Sequence, residues 1–368
     1  MNVLILSCYT GEGHNSAAYA VKEALESRNI TCHIADPVLF RSKRAQKLVS
    51  SFYNGIIKNA PSTFGMIYKA GAIYDSAGIT SPVYYANATY YQNLYDFITA
   101  NKFDAVISTH LYGMESLTAV KKKTGCSIPF YGVLTDYTVI PFICETNLDY
   151  YFIPHLSLSQ KLNKKGLPIE SLIPSGIPVL SKFHSQLTAF EAKKALDIPD
   201  RKKTVLAMSG GIAGGNFLKL CDELVKETDD NYTIFAMTGR NDALKKEIDT
   251  IHKNCTRITA VPFTKDVNIY MKAADVLLTK PGGLSSTEAA VTNVPIVHVN
   301  AIPGCETCNA KFFADQGMSY NAKSISDAVN ESLILACDKE KSERMKIRQK
   351  EVINPYAAKD IAEKVMRI

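Results

Sequence analysis

His14 follows Gly13 in CYTGEGHNSAA, where apolar residues begin to recur at helical spacing. A helix N-terminus holds an imidazole neutral because its partial positive charge disfavours a second one, and a neutral imidazole accepts a proton. His14 is therefore either a general base or a capping residue with a satisfied ring. Asp136, in YGVLTDY, ends an apolar run and either orients such a base or caps a following helix. A second constellation lies in TKPGGLSSTEAAV. Lys280 and Pro281 end a strand, Gly282 and Gly283 turn the backbone, and a helix begins at once. Ser285 and Glu288 have the spacing of a capping box, which predicts an ordered helix N-terminus suited to a diphosphate. An ordinary strand-turn-helix unit with a good cap has the same pattern.

The elements that must hold these groups alternate along the chain. Val3–Ser7 reads as a continuous apolar strand, His14–Ser27 as an amphipathic helix, and Ile30–Ala35 as a strand again. Short apolar runs follow at 104–108, 130–134 and 150–153. After a polar helix near 189–196 the pattern restarts, with strands at 204–208, 233–237, 257–261, 274–278 and 295–299. Such alternation predicts an α/β protein with two doubly wound parallel domains in tandem and a boundary between Ile177 and Lys203. Ligands in such sheets bind beyond the carboxyl ends of the strands, and the cleft between two such domains is the expected site. Two glycine turns fall at strand ends, CYTGEGHNSAA and MSGGIAGGN. Neither is the dinucleotide G-x-G-x-x-G fingerprint or a Walker A loop, so neither argues for NAD or a nucleoside triphosphatase.

Composition narrows the class further. A 368-residue chain that is 46% hydrophobic has the length for two globular domains. Nine cysteines without the spacing of a disulfide scaffold point to reduced thiols. Cys305 and Cys308 form the one close pair, and with no histidine cluster beside them no metal is expected. MNVLILS opens directly on a strand with neither a basic n-region nor a cleavage site, which reads as a chain without a signal peptide. The net charge of +6 is unevenly placed: from Pro37 to Tyr95 the one acid is Asp75, against Arg41, Lys43, Arg44, Lys47, Lys58 and Lys69. Eight of the nineteen tyrosines share that segment. Basic and aromatic side chains together suit an anionic membrane surface; a solvated basic face over a tyrosine-rich core is the alternative. No base-reading module accompanies the charge, so no nucleic acid partner is expected.

In order and spacing, LSCYTGEGHNSAA, ISTHLYG, YGVLTDY, SGIPV, MSGGIAGG, VPFTKDV, KPGGLSSTEA and IPGCETCNA resemble glycosyltransferase family 28. The resemblance is to its monogalactosyldiacylglycerol synthase and processive diacylglycerol glucosyltransferase group, and it runs from the first strand to about Gly317. It implies a GT-B fold, two Rossmann-like doubly wound domains facing a central cleft. Residues 1–178 would form an acceptor and membrane-facing domain and 179–354 a UDP-sugar domain, with a helix over 355–368 packing back on the first. It further implies inverting transfer of a hexose from a UDP-sugar to a diacylglycerol-type lipid, without a metal or other cofactor, at the inner face of the cell membrane. A small soluble acceptor on the same fold, or a UDP-sugar sensor without turnover, are the alternatives. On the donor side Gly210, Gly211, Gly214 and Gly215 would let backbone approach UDP and Phe263 would lie against the uracil. Gly283, Leu284, Ser285 and Ser286 would face the diphosphate, Glu288 the ribose hydroxyls, and Glu306 and Asn309 the sugar. The chain departs from the family pattern at Tyr9 and Thr10, at Ile140 and Ile143, and at Cys305. These positions bear on the donor sugar and the acceptor more than on the chemistry.

Overall fold

The structure is a computed structural model that describes residues 1–8, 12–42, 44, 79–210 and 216–367. It divides into two compact units, Met1–Leu180 with Pro303–Cys305 and Asn354–Ile368, and Ser181–Ile302 with Glu306–Ile353.

In the first unit β1 (Asn2–Leu6), β2 (Thr31–Ala35), β3 (Ala105–Ser108), β4 (Phe130–Val133), β5 (Tyr150–Ile153) and β6 (Leu172–Pro174) form one parallel sheet in the order β2-β1-β3-β4-β5-β6. Parallel strands are covered on both faces, which is why Val3 to Leu6 are apolar without alternation and all fully buried. One face packs Val3, Ile5, Ile107 and Val133 against the Glu12–Glu26 helix and the Ala357–Arg367 helix. Ile361, Ala362 and Val365 fall on one side of that last helix and are buried, which is what draws the carboxy-terminal segment onto the first unit. Burying a side chain the size of Ile361 or Val365 contributes about 1.5–3 kcal/mol. The opposite face packs the Tyr91–Ala100, Leu111–Thr124 and Ser159–Lys164 helices. Gly113 lets the second of these approach β3, since a Cβ there would stand 2.3 Å from Ser108 Oγ.

The second unit repeats the plan with β7 (Lys203–Met208), β8 (Tyr232–Gly239), β9 (Ile258–Pro262), β10 (Val276–Thr279), β11 (Ile296–His298) and β12 (Tyr320–Asn321), ordered β12-β11-β10-β7-β8-β9 and all parallel. In both sheets the chain reverses its direction of winding beside the first strand. That point lies between β1 and β3 in one unit and between β7 and β10 in the other, and doubly wound sheets bind their ligands at such a point.

Candidate functional site

The switch point of the first unit carries His14, in the first turn of the Glu12–Glu26 helix. Two bonds fix that turn to the strand ends: Ser7 Oγ donates to Asn15 Oδ1 at 2.7 Å and Thr109 Oγ1 to the His14 carbonyl at 3.0 Å, while Thr109 N, donating to the Leu6 carbonyl at 3.0 Å, ties the two strand ends together. The ring is fixed as well. His14 Nδ1 lies 2.9 Å from the Thr109 carbonyl and 3.0 Å from Thr135 Oγ1. A carbonyl oxygen can only accept, so Nδ1 carries the proton and Nε2 holds the lone pair. Burial lowers the pKa of His14 below the ordinary imidazole value, partly opposed by the charge of Asp136 and the bond to Thr109. His110 meets the His14 ring edge-on at 4.6 Å and is itself kept neutral, first by burial and then by its neighbour. His14 lies within the helix rather than at its N-cap; the fold satisfies Nδ1 and leaves Nε2 as the nitrogen for chemistry.

Asp136 sits half-buried in a bend past β4. The next helical turn, Ile143–Glu145, is capped by Phe142, so no helix follows for Asp136 to cap, and its charge on His14 remains.

The second unit corrects the expected capping box. The Gly283–Thr292 helix starts two residues before Ser285, with Gly282 as N-cap and no side-chain cap bond. Ser285 is already helical and cannot adopt the extended backbone an N-cap needs. The first intrahelical bond runs from Ser286 N to the Gly282 carbonyl at 3.0 Å, which leaves the N–H groups of Gly283, Leu284 and Ser285 without an intrahelical partner. Such a terminus suits an anion. Leu284 is buried, so only its backbone can contribute there.

Ser286 does not present its hydroxyl at the helix end. It is fully buried, with Oγ 2.9 Å from His298 Nε2, while His298 Nδ1 lies 3.1 Å from Ser319 Oγ. His298 ends β11, is fully buried against Phe313, and has its pKa pushed down to about 3 by burial. It pins the helix to the sheet. Nothing in its sequence setting, VPIVHVN, distinguished it from a strand residue.

Glu288 faces inward in the second turn, nine-tenths buried, and its carboxyl is pushed up to about 8 by burial, opposed by Lys182. No residue among those described hydrogen-bonds to that carboxyl, so the helix makes no structural use of it as a cap. Asn309 is fully buried and donates Nδ2 to the Pro281 carbonyl at 3.1 Å, supporting the glycine turn from below. Glu306, in the first turn of the Cys305–Asp315 helix, accepts the Ile302 N–H at 2.7 Å. Phe263 is 52% exposed, with the Arg240 guanidinium 4.6 Å over its ring. Gly210 has φ +82°, a conformation that favours glycine, immediately after β7. Gly211, Gly214 and Gly215 lie outside the described residues, as do Lys43 and Lys47; Arg41 and Arg44 are exposed. Of the tyrosines in the basic segment, Tyr90 is buried and Tyr91 and Tyr95 pack on the core, whereas Tyr85 is exposed. The core explanation thus holds for part of that group. Among the described residues no cluster of three metal-ligating side chains occurs, and no helix is long and apolar enough to cross a membrane.

Comparison with known proteins adds independent observations. The monogalactosyldiacylglycerol synthase family model matches residues 14–179, and that of the glycosyltransferase family 28 C-terminal domain matches residues 215–365. A processive diacylglycerol beta-glucosyltransferase of Bacillus cereus (strain B4264) is 26% identical, the alignment covering 99% of this chain and 93% of the relative. One from Bacillus thuringiensis (strain Al Hakam) is 26% identical with the same coverage. Among solved structures, MurG of Acinetobacter baumannii superposes with a TM-score of 0.65 at 15% identity, over 100% of this chain and 99% of that one. The glycotransferase of kitacinnamycin gives 0.67 at 11%, over 100% and 98%. At such identities the structural likeness speaks for the fold, which is GT-B. With both halves matched in order, and with a neutral histidine and a glycine-led helix terminus at the two switch points, the chain belongs to glycosyltransferase family 28, in its monogalactosyldiacylglycerol synthase and processive diacylglycerol glucosyltransferase group.

Proposed function

We propose that this enzyme transfers a hexose from a UDP-sugar to a diacylglycerol-type lipid, with inversion at the anomeric carbon, to make a membrane glycolipid. The observation that carries the reading is the fixed tautomer of His14: Nδ1 bound to the Thr109 carbonyl leaves Nε2 as the base. In the reaction Nε2 takes the proton of the acceptor hydroxyl, and the oxygen forms its bond to the anomeric carbon. The bond from that carbon to the diphosphate oxygen breaks on the opposite side, and its electron pair leaves with UDP. Displacement from opposite sides inverts the centre. Asp136 stabilises the imidazolium as it forms. The charge developing on the diphosphate is met by the N–H groups at the start of the Gly283–Thr292 helix. Glu288, still unassigned by the fold, is the group available to the ribose hydroxyls. Vesicles of diacylglycerol with each of several UDP-sugars test the proposal. UDP release coupled to a glycolipid of inverted configuration is expected, and release with soluble acceptors alone would refute the lipid assignment.

Two further outcomes are expected from this reading. Because the diphosphate charge is handled by backbone dipoles, excess chelator should leave the rate within about twofold. Loss of activity that a divalent ion restores would contradict it. The membrane contact is tested by changing Arg41, Lys43, Arg44 and Lys47 together to Gln. Each basic side chain near an anionic surface is worth roughly 1 kcal/mol at modest ionic strength. Flotation with anionic vesicles should therefore be lost at low salt while thermal stability holds, since solvated charges contribute little to folding. Parental flotation by the quadruple variant would remove these four residues from the membrane contact.

A further inference from the structure

The Leu111–Thr124 helix buries a carboxyl group that the transfer does not use. Glu115 is fully buried; its Oε2 accepts from Asn87 Nδ2 at 2.6 Å, and its Oε1 is buried with no hydrogen-bond partner among the described residues. Asn87 Oδ1 in turn accepts the Tyr90 hydroxyl at 3.0 Å, while Ser116 Oγ, 3.2 Å from the Asn87 carbonyl, is nearer the Tyr112 carbonyl at 2.7 Å. The bond between Asn87 and Glu115 therefore fastens the Pro82–Ala88 helix to the Leu111–Thr124 helix at one spot. The start of the shorter helix is held separately, by Glu145, which accepts the Ser81 N–H at 2.6 Å and the Ser81 hydroxyl at 2.7 Å.

The groups that face Glu115 are the phenols of Tyr84, Tyr90 and Tyr112 and the carboxylate of Glu145. Cys8 and Asp36 act on the same phenols from the ends of β1 and β2. No cation is among these groups. An ionised Glu115 would therefore be a buried charge with one oxygen unsatisfied and a second acid nearby, so the neutral acid is the form the fold accommodates. Burial raises its pKa to about 8, against the bond from Asn87 and with the charge of Glu145. The same helix begins at His110, whose Nδ1 accepts the Tyr112 N–H at 3.2 Å and whose ring lies 4.5 Å from that of Tyr112 and 4.6 Å from that of His14.

We propose that Glu115, as the neutral acid, latches the Pro82–Ala88 helix onto the Leu111–Thr124 helix and thereby holds His110 against His14, which makes it a positioning residue for the base. The second half of this statement rests on the reading of His14 given above; the latch itself does not. With the latch open, Glu115 meets solvent and titrates near its ordinary value of 4.5. Closing then takes up a proton between that value and about 8. The latch is firmest below the lower value, weakens by up to about tenfold per pH unit through the window, and levels off above it.

The test compares the full-length parent with Glu115→Gln, whose amide has the same shape and cannot ionise. Amide hydrogen exchange in the Pro82–Ala88 helix is followed from pH 6 to pH 8, with kcat measured over the same range. The rate of exchange in the parent relative to E115Q should climb several-fold per pH unit, and the alkaline fall of kcat in the parent should be absent from E115Q. Glu115→Ala, which cannot hold Asn87, should exchange rapidly at every pH. An exchange ratio of parent to E115Q that stays constant from pH 6 to pH 8 would overturn the latch. If the ratio climbs but His14→Ala turns over like the parent, the latch stands and the assignment of the base fails.

Discussion

Replacing His14 with alanine should lower kcat by about two to four orders of magnitude, the usual span for the loss of a general base. UDP affinity should change little, since the groups read as binding UDP belong to the other compact unit. The prediction has a companion in pH. His14 is held below the ordinary imidazole pKa by burial, so the base is already neutral near pH 7 and the acid limb of kcat should lie on the acid side of 6.5. Asp136 opposes that shift. Asp136→Asn should therefore move the limb to still lower pH, with a smaller loss of rate than His14→Ala. Stopped-time assays of UDP release across pH 4 to 9 measure both, and a turnover number in H14A within threefold of the parent would remove His14 from the mechanism.

The second large effect is expected at His298, which no transfer step touches. His298→Ala leaves Ser286 Oγ and Ser319 Oγ without the ring they share and opens a gap beside Phe313. Unsatisfied buried hydroxyls cost about 1–3 kcal/mol each, and losing a buried ring of this size adds a cavity. A total of roughly 3 kcal/mol or more should depress the melting temperature by about 6–12 °C in a domain of this size. The helix it pins carries the Gly283–Ser285 terminus, so UDP affinity should fall as well. The pH dependence has a definite sign. The folded-state pKa is pushed down to about 3, so the unfolded chain binds the proton first. The stability that depends on the neutral ring is complete above about 6.5 and is lost as the pH falls toward 3. H298A should lack that acid sensitivity. A melting temperature within 2 °C of the parent would show that the two serines find other partners.

Legibility in the sequence followed the physics of each signal. The parallel strands were readable because burial on both faces demands unbroken apolar runs, and Tyr150–Ile153 begins and ends where the pattern placed it. The three-residue β6, Leu172–Pro174, and the two-residue β12, Tyr320–Asn321, carry no such signal: they exist because a neighbouring strand offers its edge. The start of the Gly283–Thr292 helix was misplaced for a related reason. Ser285 and Glu288 satisfy the capping spacing, but two glycines let the helix begin earlier, and the box was never formed.

The residue types and their order settled, without coordinates, that the chain is α/β, that it repeats one doubly wound plan, and that a histidine and a glycine-led helix stand at strand ends. Those are local properties: burial periodicity, turn chemistry and the electrostatics of a helix terminus act over a few residues. Which nitrogen of His14 carries the lone pair is not local, because it depends on the Thr109 carbonyl at the end of a strand 95 residues away. The same holds for His298 and Ser286, for Asn309 under Pro281, and for Glu115 with its partner Asn87. A hydrogen bond is directional and short, so the role of a buried polar side chain is decided only when the tertiary fold brings its partner within about 3 Å.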